Sequence, residues 1–287
     1  MAPIEATAIR RQKAINQYPE LFRRIIQDWS SDEPGDAAWL IYSANYLLRT
    51  GEIRWAIDPV LMNWRAKDAL GVDISVLATN LDVVLLTHSH GDHFDLDLIR
   101  ALKDTGITWV IPIAQQTTVF SKCGLKPERT ITPIPLQPIE IPPLRITPFE
   151  SLHWEQASSS WEQKPRGVPE TGYLVEYKNN RWLFPGDIRN YRVEELPGFD
   201  SIDKLFAHVW LGRKCALMDE PPLLEEFCRF CKGINPRSIV LAHLDEWGRG
   251  GDDLWENRHA WLVENRFKQL LPDCQVSISH TGGKIPL

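Results

Sequence analysis

The sequence predicts a layered α/β (α+β) protein built on buried sheets. Three observations carry that reading. Strand-like and helix-like segments interleave in both halves of the chain, as they do where helices cover sheets. Leu81-Asp-Val-Val-Leu-Leu-Thr87 is almost continuously apolar, as a strand is when both faces of its sheet are covered. The 287 residues are 43% hydrophobic and 24% charged. Those ordinary proportions exclude a disordered or collagen-like chain and permit a sizeable core.

The elements follow in order. Residues 7–29 read as helix with a break at Pro19, since proline removes a helical hydrogen bond. Leu21, Ile25 and Ile26 fall at helical spacing among the charged Arg23, Arg24 and Asp28. Ser30-Ser-Asp-Glu-Pro-Gly-Asp36 is turn chemistry. Residues 1–35 are therefore expected to form a helical extension, and 36–287 the main domain. Trp39–Tyr42, Tyr46–Arg49 and Ile53–Pro59 read as consecutive antiparallel strands, the last two joined by a turn at Thr50-Gly51-Glu52. After the apolar strand at 81–87, Leu96–Asp104 reads as helix and Trp109–Ile113 as a short buried strand. In the second half, Leu144–Phe149, Gly172–Glu176, Arg181–Phe184, Lys204–Val209 and Ser238–Ala242 look like strands. Leu223–Lys232 and Arg258–Leu271 look like helices.

Charge and cysteine usage narrow the function classes. With 32 Lys+Arg against 38 Asp+Glu the net charge is -6, which argues against a dedicated nucleic-acid binder. No apolar run reaches the 18 or more residues of a membrane span. The N-terminus lacks a basic segment followed by an apolar one, so a cytoplasmic protein is expected. The five cysteines are scattered and do not resemble a disulfide framework. Cys228 and Cys231 form a C-x-x-C without a second pair, and read as the buried face of a helix.

The chemistry lies in Thr87-His88-Ser89-His90-Gly91-Asp92-His93. Three imidazoles and a carboxylate follow directly on a buried strand, and these groups suit borderline divalent metals such as zinc. In extended chain, residues two apart point the same way, so His88 and His90 can grip one ion. Asp92 and His93 follow in the turn and can face a second.

This His-x-His-x-Asp-His segment after an apolar strand resembles that of the metallo-β-lactamase superfamily. The resemblance runs from about Ala38 to Leu287, and Ile57-Asp58-Pro59 is similar to the Asp-Pro after the opening hairpin of many members. Thr281-Gly-Gly-Lys-Ile-Pro-Leu287 is similar to the last strand of the ascorbate-6-phosphate lactonase-like and phospholipase-D-like groups. The resemblance implies a four-layer αββα sandwich for residues 36–287. It also implies three more metal ligands: His153, Asp187 in Leu183-Phe-Pro-Gly-Asp187, and His243 in Ile239-Val-Leu-Ala-His243. His153 would complete the first site, Asp187 would bridge both, and His243 would serve the second.

The expected cofactors are two divalent ions, zinc by default, with manganese and iron left open. Five imidazoles and two carboxylates leave such a pair net positive, which makes a bridging hydroxide available near neutral pH. Asp92 is the expected catalytic residue, a ligand that also orients the nucleophile or passes on its proton. The implied function is a dinuclear-metal hydrolase, closest to the lactonase-like group, acting on a small lactone, ester or phosphorylated metabolite. A phosphodiesterase acting on a nucleotide or phospholipid-like diester is the alternative. A non-catalytic metal-binding protein and an iron oxidoreductase rank below both. Arg189, Tyr191, Arg213 and His208 are the candidate substrate-binding residues, with a core role for His208 the competing reading. Trp154 and Trp161 flank a polar stretch, Glu155–Gly167, that reads as a lid or an exposed loop. A small-molecule substrate is the expected partner, and homo-oligomerisation is left open.

Overall fold

The computed structural model describes residues 3–63, 71–153, 167–188, 190–209, 223–244 and 257–287. The first element, α1 (Pro3–Ser30), runs through Pro19 without the expected break. The reason is tertiary. Tyr18, Phe22, Ile25, Ile26 and Trp29 repeat at helical spacing and are all buried, and Ala14 and Ile15 extend the same face before the proline. An interior proline costs about 3 kcal/mol, whereas each such side chain contributes roughly 1.5–3 kcal/mol on burial.

The end of α1 is held by two arginines from the sheet beneath it. Arg49 donates to the carbonyls of Asp28, Ser31 and Gly35. Arg54 donates to those of Trp29, Ser30 and Ser31. A helix leaves its last carbonyls unpaired, and cations suit that end of its dipole.

Among the described residues, two seven-stranded mixed sheets form the middle of the molecule. In the first, β1 (Ala37–Leu40), β2 (Tyr46–Thr50) and β3 (Ile53–Ile57) are antiparallel, and β4 (Val83–Leu85), β5 (Thr108–Val110) and β6 (Thr130–Ile131) continue in parallel. The second repeats that plan. β7 (Ile139–Ile141), β8 (Leu144–Glu150), β9 (Thr171–Tyr177) and β10 (Asn180–Phe184) are antiparallel, and β11 (Lys204–His208), β12 (Ser238–Ala242) and β13 (Gln275–Ile278) are parallel. The final strand, β14 (Lys284–Pro286), crosses back to pair with β1.

Alternation along the strands creates three buried layers. Ala38, Leu40, Val83 and Leu85 face the other sheet, meeting Tyr173, Val175, Phe184 and Phe206. Ala37, Trp39 and Val84 face outward, towards α1, α2 (Ser75–Asn80) and α3 (Leu96–Leu102). On the opposite outer face, Leu183, Leu205 and Leu241 meet α5 (Leu223–Ile234) and α6 (Asn257–Leu270). Three apolar layers separate four layers of backbone, the αββα sandwich. Cys228 and Cys231 lie fully buried in the α5 layer, and burial pushes the Cys228 thiol up to about 12.

Some expected boundaries move. The strand expected at Trp109–Ile113 stops at Val110, and α4 (Ile113–Thr118) begins with Ile113 exposed to 73%. Pro112 sets the N-terminal end of that helix, where its missing N–H costs nothing. The apolar run at 81–87 contributes only Val83–Leu85 as paired strand.

α3 begins immediately after the histidine-rich turn, and Asp95 caps it. Its carboxylate accepts from the amides of Asp97 and Leu98, and its second oxygen accepts from Leu61. Asp95→Ala is expected to lower unfolding stability by about 1–2 kcal/mol. Urea titration checks this, and a change below about 0.3 kcal/mol would show the cap to be idle.

Candidate metal centre

The strand ends converge at one edge of the sandwich, the usual place for a site in such sheets. His88, His90, Asp92 and His93 lie in the turn between β4 and α3. His153 follows β8, Asp187 follows β10, and His243 follows β12. Sequence-distant residues are thus brought to one place. His88 Nε2 lies 3.1 Å from His90 Nδ1, which is also 3.1 Å from His153 Nε2. Asp187 Oδ2 lies 3.2 Å from His93 Nε2 and 3.5 Å from His243 Nε2. His88, His90 and His153 offer donor atoms within 4.8 Å of one another, and so do Asp92, His93 and His243.

Neighbouring groups fix the rings. Asp58, at the end of β3, holds His93 Nδ1 at 2.8 Å, which turns Nε2 inward. Asp58 also accepts from the Thr87 amide and hydroxyl. His88 Nδ1 is 2.8 Å from Glu170 Oε1 and 2.9 Å from Thr87 Oγ1. Asn45 is fully buried and donates to the carbonyls of both Asp58 and Asp92, so the β1–β2 loop supports the turn. His243 adopts φ +70, a strained choice for a non-glycine residue, and its amide donates to Ser43 O.

His208 sits at the end of β11 beside Asp187, not at an open rim. Its Nδ1 lies 2.9 Å from Asp187 Oδ1, and Tyr46 OH lies 3.1 Å from its Nε2. Tyr46 therefore donates to Nε2 while Nδ1–H donates to the carboxylate. Tyr191 is turned towards α5, with its ring edge-on to Phe227 and Phe230 at 5.9 and 6.1 Å. Arg189, Arg213, Trp154 and Trp161, with most of the polar stretch between the two tryptophans, lie outside the described residues.

Burial and charge divide the cluster. Burial, reinforced by His93, pushes His88 down to about 3, so the ring is neutral with a lone pair to offer. Burial opposes a charge on His93, but Asp187 and Asp58 outweigh it and hold its pKa well above 6.5. Burial likewise opposes the Asp187 charge, yet His243 and His93 keep that carboxyl well below 3.8. Burial raises Glu170 to about 7, and the nearby Asp187 adds to the shift. Burial keeps His208 below its ordinary value.

These residues fit divalent ions. His93 Nε2 is buried and has no hydrogen-bond partner. Asp187 Oδ2 is near enough for an ion pair but outside hydrogen-bond geometry. A nitrogen and an oxygen that converge without bonding suit a shared cation. The group formed by Asp58, His88 and His93 differs, because its short contact is the Asp58–His93 hydrogen bond on the outer side of the ring.

Two residues here escaped the sequence reading. Glu170 carries no signal in Val168-Pro-Glu-Thr171, and Asp58 was visible only as an Asp-Pro after a strand. Among the described residues, no helix is long and apolar enough to cross a membrane.

Comparison with known proteins gives the family. No curated protein matches the chain. The fold is similar to that of a metallo hydrolase from the hyperthermophilic archaeon Ignicoccus hospitalis, with TM-score 0.60, 17% identity, and coverage of 88% of this chain and 98% of that one. It is also similar to an isothiocyanate hydrolase from Delia radicum gut bacteria, with TM-score 0.63, 18% identity, and coverage of 88% and 98%. A diiron β-hydroxylase from Streptomyces venezuelae shares the fold at TM-score 0.59 and 14% identity, over 89% of this chain and 55% of that one. Residues 54–244 match the model of the beta-lactamase superfamily domain. With that match over more than half of its length, and with the αββα sandwich and its strand-end histidines, the chain belongs to the metallo-β-lactamase superfamily.

Proposed function

We propose that this protein is a dinuclear-metal-dependent hydrolase of small lactones, esters or phosphorylated metabolites. The observation that carries the reading is the presence of two donor sets side by side, one of them gathered on a buried carboxylate. His88, His90 and His153 form one set, Asp92, His93 and His243 the other, and Asp187 reaches the second through Oδ2. Divalent ions held there supply a Lewis acid for a substrate oxygen and hydroxide near neutral pH.

The chain's own residues do the rest. His88 and His93 present fixed nitrogens, because Thr87 and Asp58 hydrogen-bond their outer ones. Asp187 keeps its charge next to His93 and His243. Asp92 is buried just before α3 and is the group that orients the nucleophile or passes on its proton. Zinc suits the imidazole-rich donors, and manganese and iron suit the same geometry. Substrate contacts from Arg189 and Arg213 belong to this proposal, since Arg grips phosphate and carboxylate bidentately.

The closing segment, Thr281–Leu287, is similar to that of both the lactonase-like and the phospholipase-D-like groups, so substrate turnover decides between them. Hydrolysis of an aryl ester, a sugar-phosphate lactone and an aryl phosphodiester by metal-loaded protein tests the proposal. Lactone or ester turnover that disappears in His90→Ala is the expected result. Turnover of the diester alone would replace this reading by a phosphodiesterase. Bound metal with no turnover on any of the three would overturn the hydrolase reading for these substrate classes.

A further inference from the structure

Glu170 is buried beside the proposed centre and is not one of its ligands. Its side chain is 0% exposed. Oε1 lies 2.8 Å from His88 Nδ1, an ion-pair distance outside hydrogen-bond geometry, and accepts the Asp187 amide at 3.0 Å. The first partner belongs to one sheet and the second to the other. The backbone repeats the connection. Glu170 O accepts from the amide of Ser151, two residues before His153, and the Thr171 amide donates to Thr87 O. One residue thus clips together the segments that carry His88, His153 and Asp187.

The neighbouring backbone is shaped around this carboxyl. Gly186 has φ +79, and a Cβ there would stand 2.4 Å from Glu170 Oε1. Only glycine lets the chain pass so close in that conformation. The arrangement is costly, because Glu170 Oε2 is buried with no hydrogen-bond partner. An acceptor needed for folding alone would be served by a neutral amide or a carbonyl. A carboxylate set against the outer nitrogen of a ligating histidine does more: its charge raises the basicity of the inward nitrogen.

We infer that Glu170 is a positioning residue of the metal centre, holding His88 and the Asp187 loop together so that the donor sets of the two sheets meet. This rests on the metal-centre reading above. His88, His90 and His153 are the donors that depend on it most directly, because Glu170 touches or clips the segments of His88 and His153.

Metal binding to purified, metal-stripped full-length protein tests the inference, with Zn²⁺ or Co²⁺ alone as the probe. Affinity is read by competition with a chromophoric chelator, and geometry by the visible spectrum of bound Co²⁺. Glu170→Ala is expected to bind about 10–100-fold more weakly, with an altered Co²⁺ spectrum. Glu170→Gln keeps the shape and one acceptor but loses the charge, and is expected to bind at least about 3-fold more weakly. Exposed Glu128→Gln is the control. Folded Glu170→Ala with an affinity within about twofold of wild type and an unchanged Co²⁺ spectrum would overturn the inference. If Glu170→Ala does not fold, Glu170→Gln decides by the same limit. Wild-type protein that binds no ion would overturn the metal-centre reading itself, an outcome distinct from the others.

Discussion

Asp187→Asn is expected to abolish most of the hydrolytic activity while leaving the protein folded. The substitution preserves volume and an acceptor for His208 Nδ1–H, which lies 2.9 Å from Oδ1. It turns Oδ2, the oxygen facing His93 and His243, into an amide NH₂ with no lone pair for an ion. The flipped amide is no better, since it sets NH₂ against the His208 N–H. It also removes the negative charge that holds His93 well above its ordinary pKa. Losing several kcal/mol of metal-assisted stabilisation corresponds to a fall in kcat/KM of about 10³-fold. Steady-state kinetics and metal content per chain, measured on the same preparation, check this. Full metal content with activity within about tenfold of wild type would remove Asp187 from the centre.

Trp29→Ala has the largest effect expected on stability. Trp29 is fully buried under the first sheet, and its Nε1–H donates to Leu48 O at 2.9 Å. Truncation leaves a large cavity and removes that hydrogen bond, at a cost of about 3–5 kcal/mol. For a chain of this size that lowers the melting temperature by roughly 10 °C. Calorimetry on metal-free protein reads it directly. A shift below about 2 °C would mean that α1 is not anchored to the sheet through this residue.

The first thirty residues depend on the sheet beneath them. A helical extension is what the pattern around Leu21, Ile25 and Ile26 suggests. The structure adds that Tyr18, Phe22 and Trp29 are buried on the same face, and that Arg49 and Arg54 reach up to the end of the helix. None of that is legible locally. An arginine in a strand reads as a surface charge until the helix end above it is known. Pro19 reads as a break because local geometry penalises it, and the burial that offsets the penalty comes from residues in the sheet.

The candidate site divides along the same line. His88, His90, Asp92 and His93 were readable because four donors lie within one turn, and spacing alone says they can share ions. His153, Asp187 and His243 came through resemblance, as single residues after apolar strands. His208 could be read two ways, and its place beside Tyr46 and Asp187 is a matter of how β11 lies next to β10. Tyr191 looked equally close to the site in sequence, yet a turn of the backbone gives its ring to Phe227 and Phe230. Glu170 was silent, because a lone carboxylate before a strand has no pattern.

The sequence by itself determined the layered α/β class, most strand positions and the His-x-His-x-Asp-His cluster of candidate donors. Those are encoded by periodicity and by contiguous donors, which need only local geometry. Tertiary structure decided the return of β14 to β1, the unbroken α1, and the carboxylates behind His88 and His93. These depend on which distant strand ends come within 3 Å of one another, and a hydrogen bond that short is made or lost over distances that sequence spacing does not measure.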